Sequence, residues 1–200
     1  MAKESSFATN AAFEQTCARR IKTFFDARRA TSDPDLGMLL VQREGDSFAK
    51  QGLDVSLQKQ VGDAILHRNG QMYRTVDFKC ERRSSQNIFV ETHSNMDPER
   101  FTPGWLYHLR TDELWYLFAD SGELICIDLA RLKSWLHERI TTGNRDCSVL
   151  RLMTYREVLQ NTHKQLNRTV GRLVPIRDAE AASGVVRWRA VLPDDCSLAA

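Results

Sequence analysis

The sequence predicts an α/β fold in which a central mixed β-sheet is flanked by helices. Three observations carry that prediction: an N-terminal segment with apolar residues at helical spacing, a hairpin signal at Asn69-Gly70, and several further β-prone runs before a helical pattern resumes near Leu129.

In order along the chain, Phe7, Ala11, Cys17, Ile21, Phe24 and Phe25 recur near a 3.6-residue period, while Arg19, Arg20, Lys22, Arg28 and Arg29 project elsewhere. Residues 5 to 30 therefore read as an amphipathic helix, with Ser5 or Ser6 as its cap. The turn chemistry of residues 31–34 ends it. Residues 35–59 combine a short apolar run at 38–41 with Gly45 and Gly52 and take no firm assignment.

VGDAILHR (61–68) and QMYRTVDFKCE (71–81) are β-prone runs joined by Asn-Gly, the strongest short hairpin signal. NIFVETH (87–93) follows the polar link RRSSQ as a third strand. ELWYLF (113–118) and ELICIDL (123–129) flank an Asp120-Ser121-Gly122 turn as the fourth and fifth. Together these predict a mixed or antiparallel sheet of five strands.

Leu129, Leu132, Trp135 and Leu136 mark a helix over 129–139. A second helix is expected over 154–167, because Thr154 and Glu157 have the spacing of a capping box. RLVPIRD and GVVRWRAVL are candidates for short strands or edge pieces.

The chain has 200 residues, 42% hydrophobic and 27% charged, enough to bury about 70% of its unfolded surface as one unit. One domain spanning 1–200 is expected, with a core over about 5–140 and a C-terminal extension over 141–200. A net charge of +2 and a pI near 8.3 are too mild for a molecule that is basic all over, so any nucleic-acid surface must be local.

Five cysteines, at 17, 80, 126, 147 and 196, are widely spaced and show no C-x-x-C pair or metal-ligand spacing. They read as reduced thiols in a cytoplasmic protein. No run approaches the roughly 18 apolar residues of a membrane span. The histidines show no metal spacing, and the four tryptophans fall on core periodicities, Trp105 after Pro103-Gly104 being the one placed to reach a ligand.

Chemistry concentrates on the hairpin. Strand alternation puts Asp77, Lys79 and Glu81 on one face and Val76, Phe78 and Cys80 on the other. Asp63 lies six residues before the turn and Asp77 seven after it, so the two carboxylates fall nearly opposite and meet if register and a bulge put them on one face. Close carboxylates repel unless a cation or proton is shared. Mg²⁺ (or Mn²⁺) suits such a pair, since it takes oxygen ligands and keeps waters, and Lys79 is placed to orient a water or offset transition-state charge.

Asp63, followed 14 positions on (77 minus 63) by Asp77-Phe78-Lys79, resembles the signature of the PD-(D/E)XK, or restriction-endonuclease-like, nuclease superfamily. GDAILHRNGQMYRTVDFK resembles the family's hairpin, and NIFVETHSN, GWLYHLRTDELWYLF and ELICIDLARLKSWL look like segments of small phage-type members. The similarity covers about residues 54–127. Gly62 stands in place of the signature's proline, and Asp77 where glutamate is commoner. The resemblance implies a restriction-endonuclease-like core that hydrolyses DNA phosphodiester bonds, with Asp63, Asp77 and Lys79 as catalytic residues.

It also implies a glutamate from the N-terminal helix as a further metal ligand, for which Glu14 is the best match, and Asp54 competes for the place of the first acid. Glu91, in a polar cluster with Thr92, Ser94 and Asn95, is a further candidate ligand. Arg74, Arg82 and Arg83 are the expected phosphate contacts, with Ser84, Ser85 and Gln86 as donors. DNA is the implied partner, and a homodimer is left open.

Two other readings compete. Asp77, Lys79 and Glu81 could form the solvated face of an edge hairpin, with cross-strand ion pairs worth at most about 1 kcal/mol each. Alternatively the chain is a non-catalytic DNA-binding or inhibitory protein that retains the nuclease fold.

Overall fold

The computed structural model describes residues 2–41, 61–96, 99, 101–143, 148–163 and 167–193, with side chains for all of these except 2–11, 161–163, 167 and 168. In chain order the first elements are α1 (Ala2–Ser32), β1 (Leu36–Leu40), β2 (Ala64–Arg68), β3 (Gln71–Glu81), β4 (Asn87–Asn95) and β5 (Thr102–Pro103). Next come α2 (Trp105–His108), β6 (Glu113–Phe118), β7 (Glu123–Asp128), α3 (Leu129–His137), β8 (Arg139–Thr141) and β9 (Ser148–Leu150). A 3₁₀ turn (Arg151–Thr154), β10 (Arg156–His163), β11 (Asn167–Pro175), α4 (Ile176–Ala181) and β12 (Val186–Val191) complete them.

These elements make a mixed α/β structure divided into two compact units. The first consists of residues 1–84, 111–126 and 188–200, the second of 85–110 and 127–187. Residues 141–200, expected as one extension, are shared between them. Among the described residues no helix is long and apolar enough to cross a membrane.

In the first unit the sheet order is β1-β2-β3-β6-β7-β12, with β1, β2 and β3 antiparallel and β3 parallel to β6. The turn chemistry expected at the hairpin is present: Asn69 and Gly70 have φ of 52° and 77°, the two positive values a tight hairpin turn requires. Alternation also holds on β3. Val76 and Phe78 join Met38, Ala64, Leu66, Trp115 and Leu117 in one apolar cluster, onto which α1 lays Cys17, Ile21 and Phe25. Those three lie four residues apart, a single stripe of the helix. The helix runs back to Ala2, so Ser5 and Ser6 fall inside it and not at its cap position. Every residue of β6 is buried, as a near-continuous apolar run requires of a strand enclosed on both faces.

The second unit holds an antiparallel sheet of order β10-β11-β4-β5 and the small β8-β9 ladder. Two expectations are corrected here. NIFVETH is a strand, but it pairs with β11 and is not in the sheet that holds the hairpin. The helix expected over 154–167 is instead a 3₁₀ turn ending at Thr154 followed by β10. Its Thr/Glu spacing is a local signal, whereas β11 supplies a register from Arg156↔Leu173 to His163↔Asn167 that satisfies the backbone along the strand. Gly171 of β11 is needed for close approach, since a Cβ there would stand 2.5 Å from the Phe89 ring and 2.7 Å from Val90 O. Trp105 is 4% exposed, so its indole is core and does not project toward a ligand.

Candidate active site

The register of the β2–β3 hairpin determines where the two acids meet. Next to the turn, His67 pairs with Met72; beyond a shift between Leu66 and His67, Leu66 pairs with Arg74 and Ala64 with Val76. Tyr73 is the extra residue. The paired register ends at Ala64↔Val76, and the preceding residues leave the ladder through an isolated bridge between Gly62 and Val76, which sets Asp63 beside the Val76–Phe78 stretch.

The backbone of Asp63 is fixed on both sides. Its N–H donates to Val76 O and its carbonyl accepts from Val41 N, both at 2.8 Å. The Asp63 carboxylate accepts from Phe78 N at 2.8 Å, which places it astride the Asp77-Phe78 peptide. Gly62 makes this entry possible. Its φ is +69°, and a Cβ would stand 2.5 Å from Val76 O and 2.5 Å from the Thr111 side chain. Proline, locked near −65°, does not fit this backbone, so glycine in its place has a local steric cause.

Asp77 is 6% exposed, in a strand with neighbours on both sides. The solvated-edge reading of the strand therefore does not describe this carboxylate. Lys79, two residues on and on the same face, donates from Nζ to Asp77 Oδ2 at 2.5 Å. Its side chain retains 32% exposure, so the ammonium stands at the rim and the carboxylate behind it. Glu81, third on that face, accepts from the buried Tyr116 hydroxyl at 2.8 Å and is drawn into packing.

Burial and the adjacent Asp77 carboxylate push the Asp63 carboxyl up to about 7. Lys79 and the Phe78 N–H act in the opposite direction, and Glu14 adds to the rise. The Glu14 carboxyl is itself raised, by desolvation first, lowered by Lys79 and raised by Asp77. The residue keeps an exposed surface, which weakens the desolvation contribution, but the same neighbours act on it and α1 brings it to the cluster.

Asp77 is bonded to Lys79, and the same ammonium acts electrostatically on Glu14 and Asp63. A hard divalent cation takes carboxylate oxygens and relieves the repulsion between paired acids. Among the described residues no group of three or more His, Cys, Asp or Glu side chains is placed to hold a metal ion. Asp63 and Asp77 are the pair whose repulsion a shared cation would offset.

The other expected residues are placed as follows. Asp54 lies outside the described residues. Arg74 donates to the buried Glu113 at 2.5 Å and lies over the Tyr73 ring, so its guanidinium serves the fold. Arg82 stacks 4.2 Å from the centroid of Phe13, on α1 beside Glu14, and Arg83 is exposed. The Ser84 N–H is tied to the Asp120 carboxylate at 2.9 Å, which holds the end of this basic segment. In the second unit, the Ser85 hydroxyl donates to Asn87 O at 3.2 Å, and Glu91 accepts from the Ser94 hydroxyl.

Sequence spacing gave no sign of one feature: Cys80 of β3 packs against the apolar cluster that holds Cys17 of α1. Helical and strand periodicity place both thiols on core faces, but only the packing of α1 on β3 brings the two faces together.

No family model, curated protein or solved structure matches the chain.

Proposed function

We propose that this protein is a divalent-metal-dependent nuclease with a restriction-endonuclease-like core, hydrolysing phosphodiester bonds in DNA. The observation that supports this most is the Asp63 carboxylate held on the Phe78 N–H, next in the chain to Asp77, with burial and that acid raising its carboxyl and Lys79 bonded to Asp77. A structural ion pair has no use for a second carboxylate that is more difficult to ionise than in water.

Asp63 and Asp77 would hold Mg²⁺ or Mn²⁺, with Glu14 as an auxiliary ligand. The ion supplies charge to polarise a phosphate and acidify a water. Lys79, at the rim, offsets negative charge on the phosphoryl oxygens and orients the attacking water. Ligation of a cation would require the Asp63 carboxyl to give up its proton, and Lys79 acts in that direction. Arg82 and Arg83 bind backbone phosphates flanking the scissile bond. Glu91 belongs to the second unit and has no assigned part in these steps.

The test is cleavage of linear and supercoiled DNA by the purified protein with Mg²⁺ or Mn²⁺. Asp63→Asn and Lys79→Met are each expected to reduce the rate by about 10²-fold or more. Asparagine keeps an acceptor for Phe78 N–H, so the loss reports charge and not unfolding. Full activity in both variants overturns the assignment, and DNA binding without metal-dependent cleavage favours the non-catalytic alternative.

A further inference from the structure

In the second unit two cations stand together on one surface. Lys133 of α3 donates from Nζ to Leu109 O at 2.6 Å, which ties its ammonium to the residue that closes α2 and precedes Arg110. Burial and then the Arg110 guanidinium hold the Lys133 ammonium below its ordinary pKa, so the two charges act on each other. One turn further along α3, His137 Nδ1 donates to Lys133 O at 2.7 Å, and the His137 ring meets the Tyr107 ring edge-on with centroids 6.1 Å apart. Residues 107–110 and one side of α3 thus share a surface. Arg110 and His137 are exposed there, and Tyr107 is 45% exposed.

Among the described residues no carboxylate pairs with Arg110, Lys133 or His137. The acid nearest in the chain, Asp112, is engaged by the Thr75 N–H and hydroxyl at 2.8 and 3.0 Å. Elsewhere in this unit Arg151, Arg172 and Arg187 are each matched by a carboxylate, at 2.8, 2.7 and 2.5 Å. Closing α2 accounts for Lys133 but not for a second cation beside it. Like charges held together are unfavourable unless an opposite charge is shared between them.

We propose that Arg110 and Lys133 form a phosphate-binding surface for a nucleic-acid backbone, flanked by Tyr107 and His137. Lys133 uses one N–H on Leu109 O and keeps two, and Arg110 offers the planar fork that matches phosphate oxygens. Phosphate supplies the negative charge that the fold does not. The choice of a nucleic acid over another polyanion rests on the nuclease reading above, whereas the unmatched pair of cations does not.

The experiment measures binding of a fluorescent DNA duplex to the full chain by anisotropy over a salt series, in EDTA and again in Ca²⁺, with cleavage in Mn²⁺ assayed separately. Arg110→Ala and Lys133→Gln are each expected to reduce the slope of log affinity against log salt by about 1, and the double variant by about 2. Glutamine keeps a donor for Leu109 O, and Arg110→Ala alone carries the test where Lys133→Gln lowers the Tm. Arg156→Ala removes the same charge from an exposed strand residue of this unit and should leave the slope unchanged. An unchanged slope in Arg110→Ala, an equal drop in Arg156→Ala, or no DNA binding by the wild-type chain under either condition overturns the proposal. Binding of a polyglutamate chain in preference to DNA assigns the surface to an acidic polypeptide and also overturns it. The expected slopes in a protein that cleaves no DNA support the surface and overturn the nuclease reading, and cleavage with unchanged slopes does the reverse.

Discussion

Two aspartates in different units show how differently this molecule treats negative charge. In the second unit Asp128 is fully employed: Oδ1 accepts from Arg131 N at 2.9 Å as the cap of α3, Arg187 donates to Oδ2 at 2.5 Å, and the Arg131 side chain lies at 3.8 Å. Two guanidiniums and a helix N-terminus neutralise one charge. In the first unit Asp63, Asp77 and Glu14 share the field of Lys79, and Asp63 is pushed up to about 7. Burial alone therefore does not decide how a carboxylate is held; the balance of charge around it does, and under the proposed function the surplus at Asp63 is what a cation would relieve.

Substitution sharpens this comparison most strongly. Asp77→Asn should reduce metal-dependent cleavage by about 10²-fold or more while changing stability little, since it relieves repulsion on Asp63 as it removes the Lys79 partner. Asp128→Asn should do the reverse, costing about 2 kcal/mol in urea denaturation through the weakened pair with Arg187, with the catalytic rate per folded molecule unchanged.

A pH series is the next most sensitive measurement. The folded Asp63 carboxyl lies above its ordinary value, so between about 4 and 7 the native state holds a proton that the unfolded chain has released. Stability without metal should therefore fall as pH rises through that window, which thermal melts at pH 5 and pH 8 would read as a lower Tm at pH 8. Asp63→Asn should flatten the difference. A Tm that rises from pH 5 to 8 in the wild-type chain, and equally in the variant, would leave the surplus-charge account without support.

The smallest effect concerns Arg83, exposed beside the anchored Ser84. Arg83→Ala should weaken DNA binding modestly and reduce the slope of log affinity against log salt by about 1, measured by fluorescence anisotropy.

How much of this was legible in the sequence depended on the range of the interactions. The hairpin was readable to the residue at β3 because Asn69-Gly70 encodes its own turn, and β6 because its apolar run bounds itself. Strand alternation put Asp77 and Lys79 on one face and counting from the turn brought Asp63 near Asp77, whereas the bulge at Tyr73 and the exit of the chain from the ladder at Gly62 are not announced by local propensity. The helical reading of 154–167 gave way to β10 because β11, further along the chain, provides the ladder. NIFVETH was correct as a strand and wrong in its neighbours for the same reason. Cys80 packs against the cluster that holds Cys17, 63 residues earlier (80 minus 17), beyond the reach of any periodicity.

The most direct measurement is a calorimetric titration of Mn²⁺ into the full chain at pH 8, repeated with Asp63→Asn and with Asp77→Asn. Saturable binding in the wild-type protein, lost in both variants, is the predicted result. Binding unchanged by either substitution, or no binding in the wild-type protein, would contradict a cation shared between the two aspartates.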